Sequence, residues 1–139
     1  MKYMSSSDAE TLEGAIARAA EKSPNVLAAY VFGSRARGEE RADSDLDVAV
    51  LEAPGHALDL DAEDGLRRSL AAATGLRLDL VCLRPSSPVL AFEVLAGGRR
   101  VFARDAERVD EMEEDLLRRY LDTEHLRRVQ RSYLFEEKS

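Results

Sequence analysis

The stretch Gly33-Ser34-Arg35-Ala36-Arg37-Gly38-Glu39-Glu40-Arg41-Ala42-Asp43-Ser44-Asp45-Leu46-Asp47, followed by the apolar Val48-Ala49-Val50-Leu51, decides how the rest of the chain is read. Before it, Val26 to Phe32 is an unbroken apolar run of strand length, the pattern of a buried strand. Gly33 ends that run. A strand entering Gly-Ser can turn tightly and present backbone N–H groups and a hydroxyl to a phosphate at the start of a following helix. Ser34 to Gly38 reads as a short turn or helical start, the charged residues to Ser44 as a loop, and Asp45 to Leu51 as a second strand.

Asp45 and Asp47 are two residues apart on that strand, so they share a face and stand roughly 6.6 Å apart at ~3.3 Å of rise per residue. Two like charges so close repel, and a divalent cation relieves the repulsion. A third acid, Asp79, falls in the run Leu76 to Cys82. There the leucines at 76, 78 and 80 take one face, which leaves Arg77, Asp79 and Val81 on the other. If that strand neighbours the strand of Asp45 and Asp47, the three carboxylates form one cluster able to hold two Mg²⁺ ions about 3.5–4 Å apart. Each signal has an ordinary reading: a turn, a solvated strand start, an exposed residue on a one-sided sheet. Their occurrence together and in order carries the argument.

Outward from this stretch, Asp8 to Lys22 places Leu12, Ala15, Ile16 and Ala19 on one helical face, with Ser7 and Glu10 spaced as a capping box. Asp61 to Thr74 predicts a helix with Leu66, Leu70 and Ala73 inward and Gly75 just past its end. A short helix after Pro88 through Leu95 and a strand from Arg99 to Ala103 complete the sheet. From about Asp105 to Glu136 there is no Gly or Pro, and Val109, Met112, Leu116, Tyr120 and Val129 recur at helical intervals, as one long helix or two broken ones. The expected fold is α/β (α+β): a small mixed sheet flanked by helices, in one domain over residues 1–139, with a core of about 8–104 and a C-terminal helical segment of about 105–136.

The chain has 139 residues and a net charge of −7, which argues against direct nucleic-acid binding, since that rests on Lys and Arg neutralising phosphates. No apolar run approaches a membrane span, and the N-terminus lacks the pattern of a secretory signal, so a cytoplasmic protein is expected. Cys82, the one cysteine, sits among Leu80, Val81 and Leu83 and reads as a core residue. His56 and His125 show no ligand spacing and are given no role.

Gly33-Ser34, ten intervening residues and Asp45-Leu46-Asp47 resemble the signature of the DNA polymerase beta-like nucleotidyltransferase superfamily. The phrasing Gly-Ser-Arg-Ala-Arg-Gly, then Asp-Ser-Asp-Leu-Asp, is similar to its minimal branch, the MNT antitoxins that pair with HEPN toxins. Phe92 to Phe102 and Tyr120-Leu121-Asp122 look like that branch too, so the resemblance covers roughly residues 25 to 135. It implies the nucleotidyltransferase fold, Mg²⁺ at the acids, ATP as substrate, and transfer of AMP to a tyrosine of a cognate HEPN toxin, which silences the toxin. By resemblance, Gly33 and Ser34 hold the β and γ phosphates, and Asp45 and Asp47 bind both metals. Asp79 binds the catalytic metal and helps take the acceptor's proton. Arg35 and Arg37, beside the phosphate grip, either clamp the triphosphate or are solvated.

Two rivals remain at this stage. A small-molecule nucleotidyltransferase of the aminoglycoside-modifying kind needs an acceptor surface from a second domain or a dimer. A non-catalytic antitoxin that neutralises by covering its partner has no use for three crowded carboxylates. The C-terminal helix, with Arg118, Arg119, Arg127, Arg128 and Arg131, reads either as a solvated helix or as a docking surface for the toxin or for a second copy. Tyr120, Tyr133, Leu134 and Phe135 are its candidate apolar contacts.

Overall fold

Val26–Phe32 forms the strand its apolar run predicts (β1), buried along nearly its whole length. The structure, a computed structural model, describes residues 2–39 and 45–138. Around β1 the order is α1 (Lys2–Glu21), β1, β2 (Leu46–Glu52), α2 (Leu60–Thr74), β3 (Leu78–Cys82), α3 (Pro88–Gly97), β4 (Arg99–Ala103) and α4 (Ala106–Lys138). The four strands lie in the order β3-β2-β1-β4. β1 is antiparallel to β2 and β4, whereas β2 and β3 are parallel, so the sheet is mixed, as expected.

Parallel neighbours need a crossover, and α2 provides it. Asp59 caps its start, its carboxylate accepting from the Ala62 N–H at 2.8 Å. Gly75 ends it in the left-handed region, φ 71°, donating its N–H to the Ala71 carbonyl.

Helices cover both faces of the sheet. Val48, Val50 and Leu80 meet Ile16, Leu66 and Leu70 on one side. Ala49, Leu51 and Tyr30 meet Ala91, Val94 and Val109 on the other. Each large side chain so buried contributes about 1.5–3 kcal/mol. Cys82 packs against the first cluster, where burial pushes its thiol pKa up, in keeping with a core role.

Polar ties lock α1 and α4 to this core. The Arg104 guanidinium donates to the carbonyls of Val26, Ala20, Glu21 and Ser23 at 2.9–3.1 Å, joining the end of α1 and the turn after it to the start of β1. The Tyr30 hydroxyl donates to Glu113 on α4 at 2.5 Å, and Arg100 reaches the same carboxylate at 3.1 Å and Asp110 at 2.9 Å. Burial first, and then Glu113, pushes the Tyr30 pKa up.

Several expectations are corrected. α1 starts at Lys2, so Ser7 lies within the helix and not at its start, where a capping box would stand. Ala73 is exposed, because α2 turns only Leu66 and Leu70 fully inward. α4 is one continuous helix of 33 residues, about 50 Å long at ~1.5 Å per residue. Only its first half lies on the body, so Val129 is exposed rather than core. Among the described residues no helix is long and apolar enough to cross a membrane.

Candidate active site

Strand register gathers the three acids at one edge of the sheet. The antiparallel pairing of β1 and β2 sets Phe32 beside Asp47, and the parallel pairing of β2 and β3 sets Asp47 beside Asp79. Asp47 therefore stands between the end of β1 and the start of β3. Alternation puts Asp47 on the face of Ala49 and Leu51, and Asp79 on that of Val81, the side covered by α3 and α4. Adjacent strands are spaced at about 4.8 Å, so the two residues are held at close range by backbone pairing alone.

Gly33 completes the edge. Its φ of +75° lies in the left-handed region. A Cβ built there would meet Asp47 Oδ2 at 2.1 Å, so the hydrogen in its place is what leaves room for the carboxylate. The residues that follow make a single turn rather than a helix. The Arg37 N–H donates to the Gly33 carbonyl at 3.2 Å, and the Glu39 N–H to the Ser34 carbonyl at 2.8 Å. Ala36 tucks against the core, which fixes this turn over the sheet edge. The part of the expected loop from Glu40 to Ser44 lies outside the described residues.

The charges behave as a strained set. Burial, then Asp79, then Asp45 push the Asp47 pKa up, and only Arg37 opposes them. Asp79 is exposed at the second residue of β3, not set mid-strand among buried neighbours as its apolar surroundings imply. Asp45 lies just before β2, half exposed, with its carboxylate turned to Arg77 Nε at 3.7 Å. The acids thus share one edge without sharing one point, and among the described residues no three His, Cys, Asp or Glu side chains are grouped to hold a metal ion. The contact that draws the Asp45 carboxylate toward Arg77 is an exposed pair of small worth. The donor set, carboxylate oxygens in mutual repulsion beside a cradle free of Cβ, fits a hard divalent cation.

Of the two predicted arginines, Arg35 is half-buried and Arg37 is exposed, paired with Glu39 at 2.6 Å. The sequence alone does not single out Arg77, which pairs with Asp45 at this edge. Its signal is its place in β3's approach, since Leu46 pairs with Leu78 and the Leu46 N–H donates to the Arg77 carbonyl at 2.8 Å. That register appears only once the two strands are known to be parallel neighbours.

Comparison with known proteins bears on the same residues. The family model described as Polymerase beta, Nucleotidyltransferase matches residues 15–107, which include every residue of this edge. The protein adenylyltransferase MntA of Shewanella oneidensis is 38% identical over 79 residues, 57% of this chain; the chain spans about half of that relative's length, 55%. Among solved structures, a toxin–antitoxin with AMP-PNP aligns with TM-score 0.69 and 28% identity, over 91% of this chain and 98% of the other. The MNT antitoxin complex with tri-AMPylated Shewanella oneidensis HEPN toxin aligns with TM-score 0.65 and 26% identity, over 94% and 98%.

Proposed function

Because the chain belongs to the polymerase beta nucleotidyltransferase family, we propose that it is a protein adenylyltransferase antitoxin, moving AMP from ATP to a tyrosine hydroxyl of a cognate HEPN-type toxin. The observation that carries the reading is the register pair Asp47 and Asp79 beside Gly33. The similarity to an adenylyltransferase and to complexes with a HEPN toxin and with AMP-PNP supports the choice of nucleotide and acceptor.

In this reading the turn from Gly33 to Gly38 receives the β and γ phosphates through Ser34 and its backbone N–H groups. Arg37 adds positive charge at the same place. Asp45, Asp47 and Asp79 would hold Mg²⁺, which when bound neutralises phosphate charge and favours the ionised acceptor. The phenolic oxygen attacks the α-phosphorus in line. The new O–P bond forms as the bond to the bridging β-phosphate oxygen breaks, and pyrophosphate leaves. Asp79, exposed at the strand start, takes the phenolic proton, a task that needs a positioned base because a free phenol has a pKa near 10. Most of the rate comes from holding the reactants in line beside fixed charge.

The test is the intact mass of the protein encoded beside this gene after incubation with the chain, ATP and Mg²⁺. Added mass in whole AMP units, absent with Asp45→Ala/Asp47→Ala, supports the reading. An unchanged mass in a stable complex defeats it in favour of neutralisation by binding.

A further inference from the structure

Strand register sets four residues in one line across the sheet. Arg99 pairs with Val31, so Gly98, one residue earlier on an antiparallel neighbour, stands beside Phe32. Phe32 pairs with Asp47, and Asp47 pairs with Asp79. Residues set directly opposite share a face, so Gly98, Phe32, Asp47 and Asp79 all lie on the side that α3 covers.

Gly98 is the point at which α3 reaches this line. Its φ of −98° and ψ of −174° are open to any residue, so the glycine is not needed for conformational freedom. It is needed for space. A Cβ at Gly98 would meet the Val94 carbonyl oxygen of α3 at 2.5 Å, the Val31 carbonyl oxygen at 2.8 Å and the Phe32 Cβ at 3.2 Å. The first two are backbone atoms, which cannot swing aside as the end of a long side chain does. Gly97, its neighbour in sequence, has nothing within 4 Å of the same position. Packing therefore demands one glycine of this pair and leaves the other free to change.

A methyl group at residue 98 would wedge α3 away from the end of β1, and the two sides differ in what they can yield. α3 is anchored, since Ala91 and Val94 are fully buried and Phe92 stacks on Tyr120 of α4 with ring centroids 4.1 Å apart. β1 is buried until its last residue, Phe32, which is partly exposed and runs straight into the Gly33 turn. The strand end is thus the side that yields. Both neighbours of Asp47 move with it: Phe32, which pairs with it, and Gly33, against whose hydrogen its carboxylate lies.

From this line of residues we infer that Gly98 is a positioning residue of the acid edge. It touches no reacting group; by letting α3 close on the end of β1, it fixes where Asp47 stands. This role rests on the proposed function, which makes the acids a metal site, and extends that site to a residue with no side chain.

In ¹H–¹⁵N spectra of the full chain without metal, Gly98→Ala should shift the Gly33 and Asp47 amide resonances, while Gly97→Ala leaves them in place. Mn²⁺ affinity of the folded protein should fall roughly tenfold or more in Gly98→Ala, the scale seen when a residue supporting a metal ligand is changed. It should stay at the wild-type value in Gly97→Ala. Arg104→Ala separates positioning from plain loss of stability, because it loosens the other end of β1, at Val26. That variant should unfold earlier yet bind Mn²⁺ as the wild type does. If Gly98→Ala does not fold, Phe32→Leu alters the second member of the line and should weaken Mn²⁺ binding in the same way. Unmoved Gly33 and Asp47 resonances overturn the inference, as does wild-type Mn²⁺ affinity in the folded variant or an equal loss in Arg104→Ala. A wild type that binds no Mn²⁺ defeats the metal site alone, and the resonances then decide whether Gly98 sets the place of Asp47.

Discussion

The hydrogen on Gly33 occupies the one position from which a methyl group would strike the Asp47 carboxylate, 2.1 Å from Oδ2. The Gly33 turn and the Asp47 carboxylate, to which the proposed function gives phosphate and metal, are therefore coupled through a contact that tolerates no side chain. Gly33→Ala should cost about 1–2 kcal/mol from the left-handed backbone alone, and should displace Asp47. The expected result is a lower urea midpoint together with weaker Mn²⁺ binding; a variant with wild-type Mn²⁺ affinity would show that the coupling is absent.

Asp47 carries a folded-state pKa above its unfolded value, because burial and two neighbouring acids penalise its charge. Its contribution to stability is therefore complete below the unfolded value of about 3.9, and is lost as pH rises through the folded one. In chelator, Asp47→Asn should be the more stable protein at neutral pH, and the gap should close on acidification to about pH 4. Added Mg²⁺ or Mn²⁺ should reverse the order, since only the wild type gains by binding it. Nucleotide transfer by the variant should fall by roughly 100-fold or more. Denaturation midpoints across pH, with and without metal, read the first two effects.

Arg77 pairs with Asp45, and in the proposed function it would compete with a bound cation for that carboxylate. Arg77→Gln should tighten Mn²⁺ binding about two- to fivefold, the scale of an exposed pair worth up to ~1 kcal/mol. Loss of the distant Arg68–Asp64 pair by Arg68→Gln should leave it unchanged. Equal effects from both substitutions would mean that net charge, and not the pair, sets the affinity.

Arg104 ties the end of α1 to the start of β1 with four hydrogen bonds from one guanidinium. Arg104→Ala should destabilise the fold by about 3 kcal/mol, within the range for hydrogen bonds to charged groups. Arg104→Lys should recover only part of this, because a point-like ammonium cannot span the fork. Thermal unfolding of the two variants ranks them directly.

The elements with one unambiguous period are legible in the sequence. β1 is an apolar run closed by Gly33, α2 ends where Gly75 must be left-handed, and β4 matches Arg99–Ala103 to the residue. The edge of the sheet is legible through the resemblance and the Asp-x-Asp spacing, but its exact geometry is not. Asp79 is exposed and Asp45 is drawn to Arg77 because of a parallel pairing that no local pattern encodes. The tail of α4 misleads for a related reason. Its periodicity marks an apolar face, yet a period is silent on whether that face meets the body or leaves it, and Val129 leaves it.

The parallel ladder between β2 and β3 has one more effect. Asp47 and Asp79 come together only after α2 has crossed over the sheet and the later strand has slid into place, the kind of distant pairing that forms slowly during folding. A nascent chain that has emerged only as far as β2 already has the glycine turn and two of its acids, yet it lacks the third. In the proposed function the acid edge would therefore be whole only once β3 has joined β2, so a chain stalled before that pairing would lack one of the three carboxylates the reaction uses.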